Sequence, residues 1–333
     1  MEYTLLEKTG VRISKVTFGS AALGVAPQEK EGTDMIHRAL DVGINFFDTS
    51  GSYGNQPRFD RPGVPPAAKR HSAEEILGNA LKGRRNDVLI ASKVMEPVAP
   101  WGVNDRGLSR VHIMERVEHS LKRLQTDHID IYYAHHPDPN TPIDQTLRAF
   151  DDLVHQGKIR YYALSTFPAW GLTEVVLTAR NLGLNEPVLL QVAYSLAMRA
   201  VEREVVPAAR RYGLQMAIYS PLHGGLLAGV ASIERSITGS QRWRAGEGPG
   251  WGPEEIETAK RIEAVGKEWG YPPAQLALAW LHSRPQVATT IIGPETMSEM
   301  DQNLGALEIE LTPDQMEVLN EIGINVPLPG NRR

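Results

Sequence analysis

The chain has 333 residues, 41% of them hydrophobic, with no cysteine and a formal net charge of −5. That length and apolar content support a large core in one α/β domain. The composition excludes disulfides, thiolate metal sites and a cysteine nucleophile, and the lack of a basic stripe argues against nucleic-acid binding.

The chain opens with "YTLL" and "VRIS", which read as a small hairpin. Eight short apolar runs follow, at 16–19, 44–47, 88–92, 129–134, 160–165, 188–193, 215–220 and 289–293. They are β-branched and aromatic, and short enough for strands buried on both faces of a parallel sheet. Helical patterns alternate with them. Helices are predicted near 32–42, 168–182, 202–212, 254–268, 274–283, 296–304 and 313–322. Three more carry sharper signals. "SAEEILGNAL" opens on a capping box, with Ser72 as N-cap and Glu75 three residues on. "SRVHIMERVEHSLKRL" sets Ile113, Val117, Leu121 and Leu124 on one face. "TPIDQTLRAFDDLVHQGK" places Pro142 at the first helical position and Gly157 at the stop. Eight β-then-α units predict a single (β/α)8 TIM barrel over residues 1–333. The segments 55–71 and 229–252 read as long substrate loops. No apolar run reaches about 18 residues, and the start lacks a signal-peptide core. A cytoplasmic protein without membrane spans is therefore expected.

Catalytic groups of such barrels sit at the C-terminal ends of strands. "INFFDTSGSYG" (44–54) ends a buried run in Asp48, with Tyr53 five positions on. The next strands end in Ser92 and Lys93, then His135 and His136, then Ser165 and Thr166. Gln191, Tyr194, Tyr219 and Ser220 follow at later strand ends. A phenol beside an ammonium is expected to have its pKa lowered toward neutrality. A carboxylate would keep the ammonium charged and aimed, and a histidine would orient a carbonyl oxygen. Such a set protonates a carbonyl but carries no hydride, so it implies a hydride-carrying cofactor. No GxGxxG follows a strand, which disfavours a Rossmann module. Instead "SPLHGGLLAG" (220–229) and "GPETMSEMDQN" (293–303) follow the last two strands, where barrels bind phosphate. Ser220, Gly224, Gly225 and Leu226 would present backbone amides there. "HHPD" also invites a metal-hydrolase reading. That class needs histidines at separate strand ends, whereas His112, His119 and His155 fall in helical patterns.

"GINFFDTSGSYG", "ASK" (91–93), "IDIYYAHHPDP", "GKIRYYALST", "LQVAYSL", "YSPLHGGLLAG" and "IIGPETMSEMDQNLGAL" together resemble the aldo-keto reductase superfamily over nearly the whole chain. The style is closest to its bacterial and potassium-channel β-subunit-like branch. The resemblance implies NAD(P)(H)-dependent reduction of an aldehyde, ketone or sugar carbonyl, by a monomer or homo-oligomer. It also implies a catalytic tetrad of Asp48, Tyr53, Lys93 and His135, with Tyr53 as general acid or base. The resemblance points to His135 rather than His136, because the family's histidine falls where His135 stands, before a bulky residue and proline. Neighbouring strand residues point to opposite faces, so only one of the pair would be catalytic. Ser165, Thr166 and Gln191 would hold the carboxamide, Thr166 standing where the family usually has Asn. Tyr219 would stack on the nicotinamide, and Gln302 and Asn303 would meet the adenine. Gly19, Ser20, Pro221, Leu222, Gly293 and Thr296 complete the expected cofactor contacts. Family members preferring NADP place cations after the last strand. Here Glu295 and Glu299 stand there, which favours NAD(H) while leaving NADP(H) possible if Arg242 or Arg244 compensates. Tyr53, Phe59, Trp101, His135 and Trp243 are the candidate substrate-pocket residues. A cofactor-binding regulatory subunit with slow turnover is the alternative function.

Overall fold

The computed structural model describes residues 1–98, 102–238 and 250–323. A two-stranded antiparallel hairpin, β1 (Tyr3–Leu6) and β2 (Val11–Ser14), comes first. Then come β3 (Val16–Gly19), α1 (Glu29–Asp41), β4 (Phe46–Asp48), α2 (Ala73–Ala80), β5 (Leu89–Val94) and α3 (Arg110–Leu124). β6 (Ile129–Ala134), α4 (Ile143–His155), β7 (Ile159–Ser165), α5 (Ala169–Leu182), β8 (Leu189–Ala193), α6 (Val205–Arg211) and β9 (Gln215–Tyr219) continue the alternation. The last elements are α7 (Ala231–Thr238), α8 (Pro253–Trp269), α9 (Pro273–His282), β10 (Val287–Ile292), α10 (Met297–Leu304) and α11 (Pro313–Ile322).

Strands β3 to β10 close into a parallel barrel, β10 pairing with both β3 and β9. This is a (β/α)8 barrel with an N-terminal hairpin, as the eight runs predict. Two apolar layers explain why the strands read as continuous runs. Phe46, Ala91, Ile131, Tyr133, Ala163, Leu189, Ala217 and Ala288 form one cluster inside the barrel, with Leu6 and Ile13 of the hairpin. Phe47, Ile90, Tyr132, Tyr162, Leu190 and Met216 belong to the other cluster, with the helices.

The capping box of α2 is made: Ser72 Oγ accepts from the Glu75 amide at 3.2 Å and Glu75 accepts from the Ser72 amide at 2.7 Å. Ile113, Val117, Leu121 and Leu124 of α3 are all buried. Pro142 is the N-cap of α4 and Ile143 its first residue, one position later than predicted. Gly157 follows the helix at φ 72°.

The two long loops have more structure than predicted. The 55–71 segment is organised around Arg70, whose side chain is 2% exposed. It donates to the carbonyls of Gly54 and Gln56 and to Asp60, at 3.2, 2.9 and 2.8 Å. The 229–252 segment contains α7, because "ASIERSIT" has a helical apolar face that the Gly-rich remainder masks.

Candidate active site

Strand alternation builds the site. Inside the barrel, Phe46 is followed two residues on by Asp48, Ala91 by Lys93, Tyr133 by His135, Ala163 by Ser165, Leu189 by Gln191, and Ala217 by Tyr219. Side chains two apart share a face, so six inward residues are delivered to one mouth. A cavity of about 390 Å3 opens there. That volume suits a small-molecule site.

Lys93 Nζ is fully buried and donates to Asp48 Oδ1 at 2.5 Å and to the Thr49 carbonyl at 2.9 Å. Gln191 donates its amide to Asp48 Oδ2 at 2.7 Å. The carboxylate is thus held from both sides. Lys93 Nζ lies 4.9 Å from the centre of the Tyr53 ring. Tyr53 Oη and His135 Nε2 are 3.5 Å apart.

The electrostatics differ from the sequence expectation. Burial is the largest influence on the Tyr53 phenol and pushes it up, Lys93 pulls it down, and Asp48 opposes Lys93. The net direction is upward, not toward neutrality. The physical reason is the burial of the phenol, which outweighs the pull of Lys93, and Asp48 weakens that pull further. Burial also pulls the Lys93 ammonium down, but Asp48 and Tyr53 outweigh it and its pKa rises.

Asp48, Tyr53 and His135 line the cavity, and Lys93 lies beneath them. Gly19, Ser165, Thr166, Gln191, Tyr219, Ser220, Pro221, Leu222, Gly224, Gly225, Gly293, Glu299, Gln302 and Asn303 line it too. Other candidates lie elsewhere. The Ser20 amide holds the Asp48 carbonyl at 2.9 Å, and the Ser20 side chain is buried behind the wall. Leu226 is 0% exposed and its side chain belongs to the core. The Thr296 hydroxyl is taken by the Glu299 amide as the N-cap of α10. Phe59 sits in a short turn, Pro57–Phe59, and does not line the cavity. Gly225 lines the cavity but its amide already donates to Leu222 at 3.0 Å, so it shapes the turn. Trp101, Trp243, Arg242 and Arg244 lie outside the described residues.

A model of the Aldo/keto reductase family matches residues 15–324. The chain belongs to the aldo/keto reductase family. It is 38% identical to "Uncharacterized oxidoreductase YrpG" of Bacillus subtilis (strain 168), over 99% of this chain and 97% of that protein. It is 31% identical to the "Probable voltage-gated potassium channel subunit beta" of Oryza sativa subsp. japonica, over 97% of this chain and 96% of that one. The same figures hold for a protein of that name in Arabidopsis thaliana. Membership makes the chain an oxidoreductase, of a family that generally uses nicotinamide cofactors. Among the described residues no helix is long and apolar enough to cross a membrane.

The residues of this aldo/keto reductase fit a dinucleotide. Gly224 and Gly225 adopt φ 68° and 98°, open conformations that bring backbone close to a ligand. The loop that carries them is pinned from α8: His223 Nε2 meets Glu255 Oε1 at 2.8 Å, and Trp251 donates to the His223 carbonyl at 3.2 Å. Ser165 Oγ and Thr166 Oγ1 lie 3.3 Å apart beside Gln191, an amide-sized polar patch. Thr166 holds φ 62°. A β-branched residue is strained there, where Asn is tolerated, which gives a backbone reason for the family's usual Asn.

Among the cavity residues that were missed are Arg235, Trp251 and His136. Arg235 of α7 pairs with Glu299 at 3.3 Å. Trp251 precedes the N-cap of α8. His136 lines the cavity beside His135, although alternation assigned it to the opposite face. β6 ends at Ala134; the His135 amide still donates to the Val94 carbonyl at 3.0 Å, but His136 lies two residues past the strand, where alternation no longer holds. A helical reading of "ASIERSIT" would have found Arg235.

Proposed function

We propose that this aldo/keto reductase interconverts a carbonyl and an alcohol with a nicotinamide cofactor, Tyr53 serving as general acid in reduction and general base in oxidation. The reading is carried by one observation: the Tyr53 hydroxyl and His135 Nε2, 3.5 Å apart, share a cavity wall with Ser165, Gln191 and Tyr219. When bound, the nicotinamide would supply or accept the hydride. Tyr53 gives its proton to the carbonyl oxygen and His135 holds that oxygen in place. Lys93, kept charged by Asp48, favours the Tyr53 phenolate whenever it forms. Ser165, Thr166 and the Gln191 carbonyl would hold the carboxamide, and the Tyr219 ring would offer a flat apolar face.

The pH dependence follows from the raised Tyr53 phenol. The acid form is present throughout the neutral range. Reduction is expected to hold a flat kcat between about pH 6 and 8 and to fall only above about pH 10. Oxidation is expected to rise with pH over the same range, since it needs the base form. Turnover of a panel of aldehydes, ketones and sugars, in both directions, tests this. A reduction rate that falls about tenfold between about pH 6 and 8 would contradict the assignment of Tyr53.

For the cofactor we propose NAD(H), with the Glu299 carboxylate accepting from ribose hydroxyls. Among the described residues that line the cavity, Arg235 is the cation that would otherwise welcome a 2′-phosphate, and Glu299 occupies it at 3.3 Å. Glu299→Gln is expected to shift the ratio of Michaelis constants about five- to tenfold toward NADPH. Parallel titrations with both cofactors give the ratio. A wild type that already prefers NADPH sinks the reading.

Relatives named as potassium-channel β subunits support a second reading, a cofactor-binding regulatory subunit with slow turnover. Tight cofactor binding without turnover of any carbonyl would favour it.

A further inference from the structure

We propose that His136 is a positioning residue for His135, and that Glu96 holds it in that role. The proposal rests on the carbonyl-reduction reading above. The His135 and His136 rings are stacked, with centroids 4.6 Å apart and planes 10° from parallel. His136 Nε2 meets Glu96 Oε1 at 3.5 Å. Glu96 stands two residues past the end of β5, the strand of Lys93, and His136 stands two residues past the end of β6. The pair therefore ties together the two strand ends that carry Lys93 and His135. Near the same place the Asp138 carboxylate accepts from the Leu108 amide at 2.8 Å, a second tie between the two loops.

An imidazole past a strand end needs something to fix its ring plane. The His135 backbone is held, its amide donating to the Val94 carbonyl at 3.0 Å. That bond fixes where the side chain starts; rotation of the ring about its own axis is set by what the ring touches, Tyr53 Oη at 3.5 Å among them. A second flat ring lying parallel to it restricts that rotation, because turning His135 would collide with the stack. The His136 side chain is 40% exposed. Left alone it would sample other rotamers, and the Glu96 carboxylate gives it one preferred place. The chain of effects is then complete: Glu96 places His136, His136 sets the plane of His135, and His135 Nε2 is directed to the point it shares with Tyr53. Small errors in such aim are costly in rate.

The test compares His136→Ala, which removes the ring, with His136→Phe, which restores a flat ring without the hydrogen bond. Steady-state kinetics use p-nitrobenzaldehyde with NADH and NADPH, and the His135 Cε1–H resonance is followed by NMR, assigned against His135→Gln. His136→Ala is expected to lower kcat about tenfold with the KM for cofactor unchanged. The His135 resonance is expected to move downfield as the shielding ring is lost. His136→Phe is expected to recover most of kcat and the wild-type resonance position. Glu96→Gln, which keeps an acceptor for His136, is expected to lose less than His136→Ala. If His136→Ala raises only the KM for the aldehyde and leaves kcat intact, His136 is a substrate contact and the proposal fails. It also fails if His136→Phe is no better than His136→Ala. If the wild type turns over no carbonyl, the proposed function fails, and the resonance decides the stack: an unmoved His135 signal in His136→Ala overturns it.

Discussion

Tyr53→Phe is expected to slow hydride transfer by about 10²–10⁴-fold, the range a positioned general acid contributes, while cofactor affinity stays nearly the same. The substitution removes one oxygen and keeps the ring. Lys93 Nζ lies 4.9 Å from the centre of that ring, so its packing is preserved. The loop is preserved too, because the Tyr53 carbonyl still accepts from the Ala73 amide at 3.1 Å. What is lost is the proton. His135 Nε2, 3.5 Å from the missing oxygen, still holds the carbonyl but does not replace the phenol. Single-turnover kinetics measure the rate and a fluorescence titration measures cofactor binding. A rate within about threefold of wild type would remove Tyr53 from its role.

The second large effect is on stability. Asp48→Asn is expected to cost about 3–5 kcal/mol, the penalty for breaking a buried ion pair by removing one partner. The Lys93 side chain is 0% exposed and the Asp48 side chain 6%, so the orphaned ammonium has no route to water. Its remaining partners are neutral: the Thr49 carbonyl at 2.9 Å and the Tyr53 hydroxyl. The double variant Asp48→Asn/Lys93→Met is expected to be more stable than Asp48→Asn alone, because no unpaired charge remains. Denaturant midpoints of the wild type, Asp48→Asn, Lys93→Met and the double variant form the cycle. A double variant no more stable than Asp48→Asn would contradict it. The pair also links stability to alkali. Folding raises the Lys93 pKa, so its contribution is full below the ordinary lysine value of about 10.4 and is lost as pH rises from there through the folded value.

The barrel was legible because its strands are buried on both faces, which leaves uninterrupted runs such as "IDIYYA" and "VLIAS". The inward polar residues at the strand ends were legible for a related reason. Alternation along a strand carries the barrel-facing side through to Asp48, Lys93, His135, Ser165, Gln191 and Tyr219. The same rule misplaced His136, since it holds only while the strand lasts. The direction of the Tyr53 shift was not legible. It depends first on how deeply the phenol is buried, which residue types do not carry. Ser20, Leu226 and Thr296 follow family motifs, yet each is drawn into holding the backbone or filling the core. Arg235 was hidden by a helix inside a segment that its glycines mark as loop. Residues such as Arg70, which organises the 55–71 loop through backbone carbonyls, leave no spacing signature at all.

On the function proposed, the cavity brings a proton from Tyr53 and a hydride from a nicotinamide to the same carbonyl. Reduced cofactor deuterated at the transferring position of the nicotinamide ring tests it directly, with p-nitrobenzaldehyde as acceptor and mass spectrometry of the alcohol. One deuterium is expected at the former carbonyl carbon with the wild type, with label transfer in Tyr53→Phe slowed by about 10²–10⁴-fold. Tight cofactor binding with no label in the alcohol, or transfer at the wild-type rate in Tyr53→Phe, would contradict it.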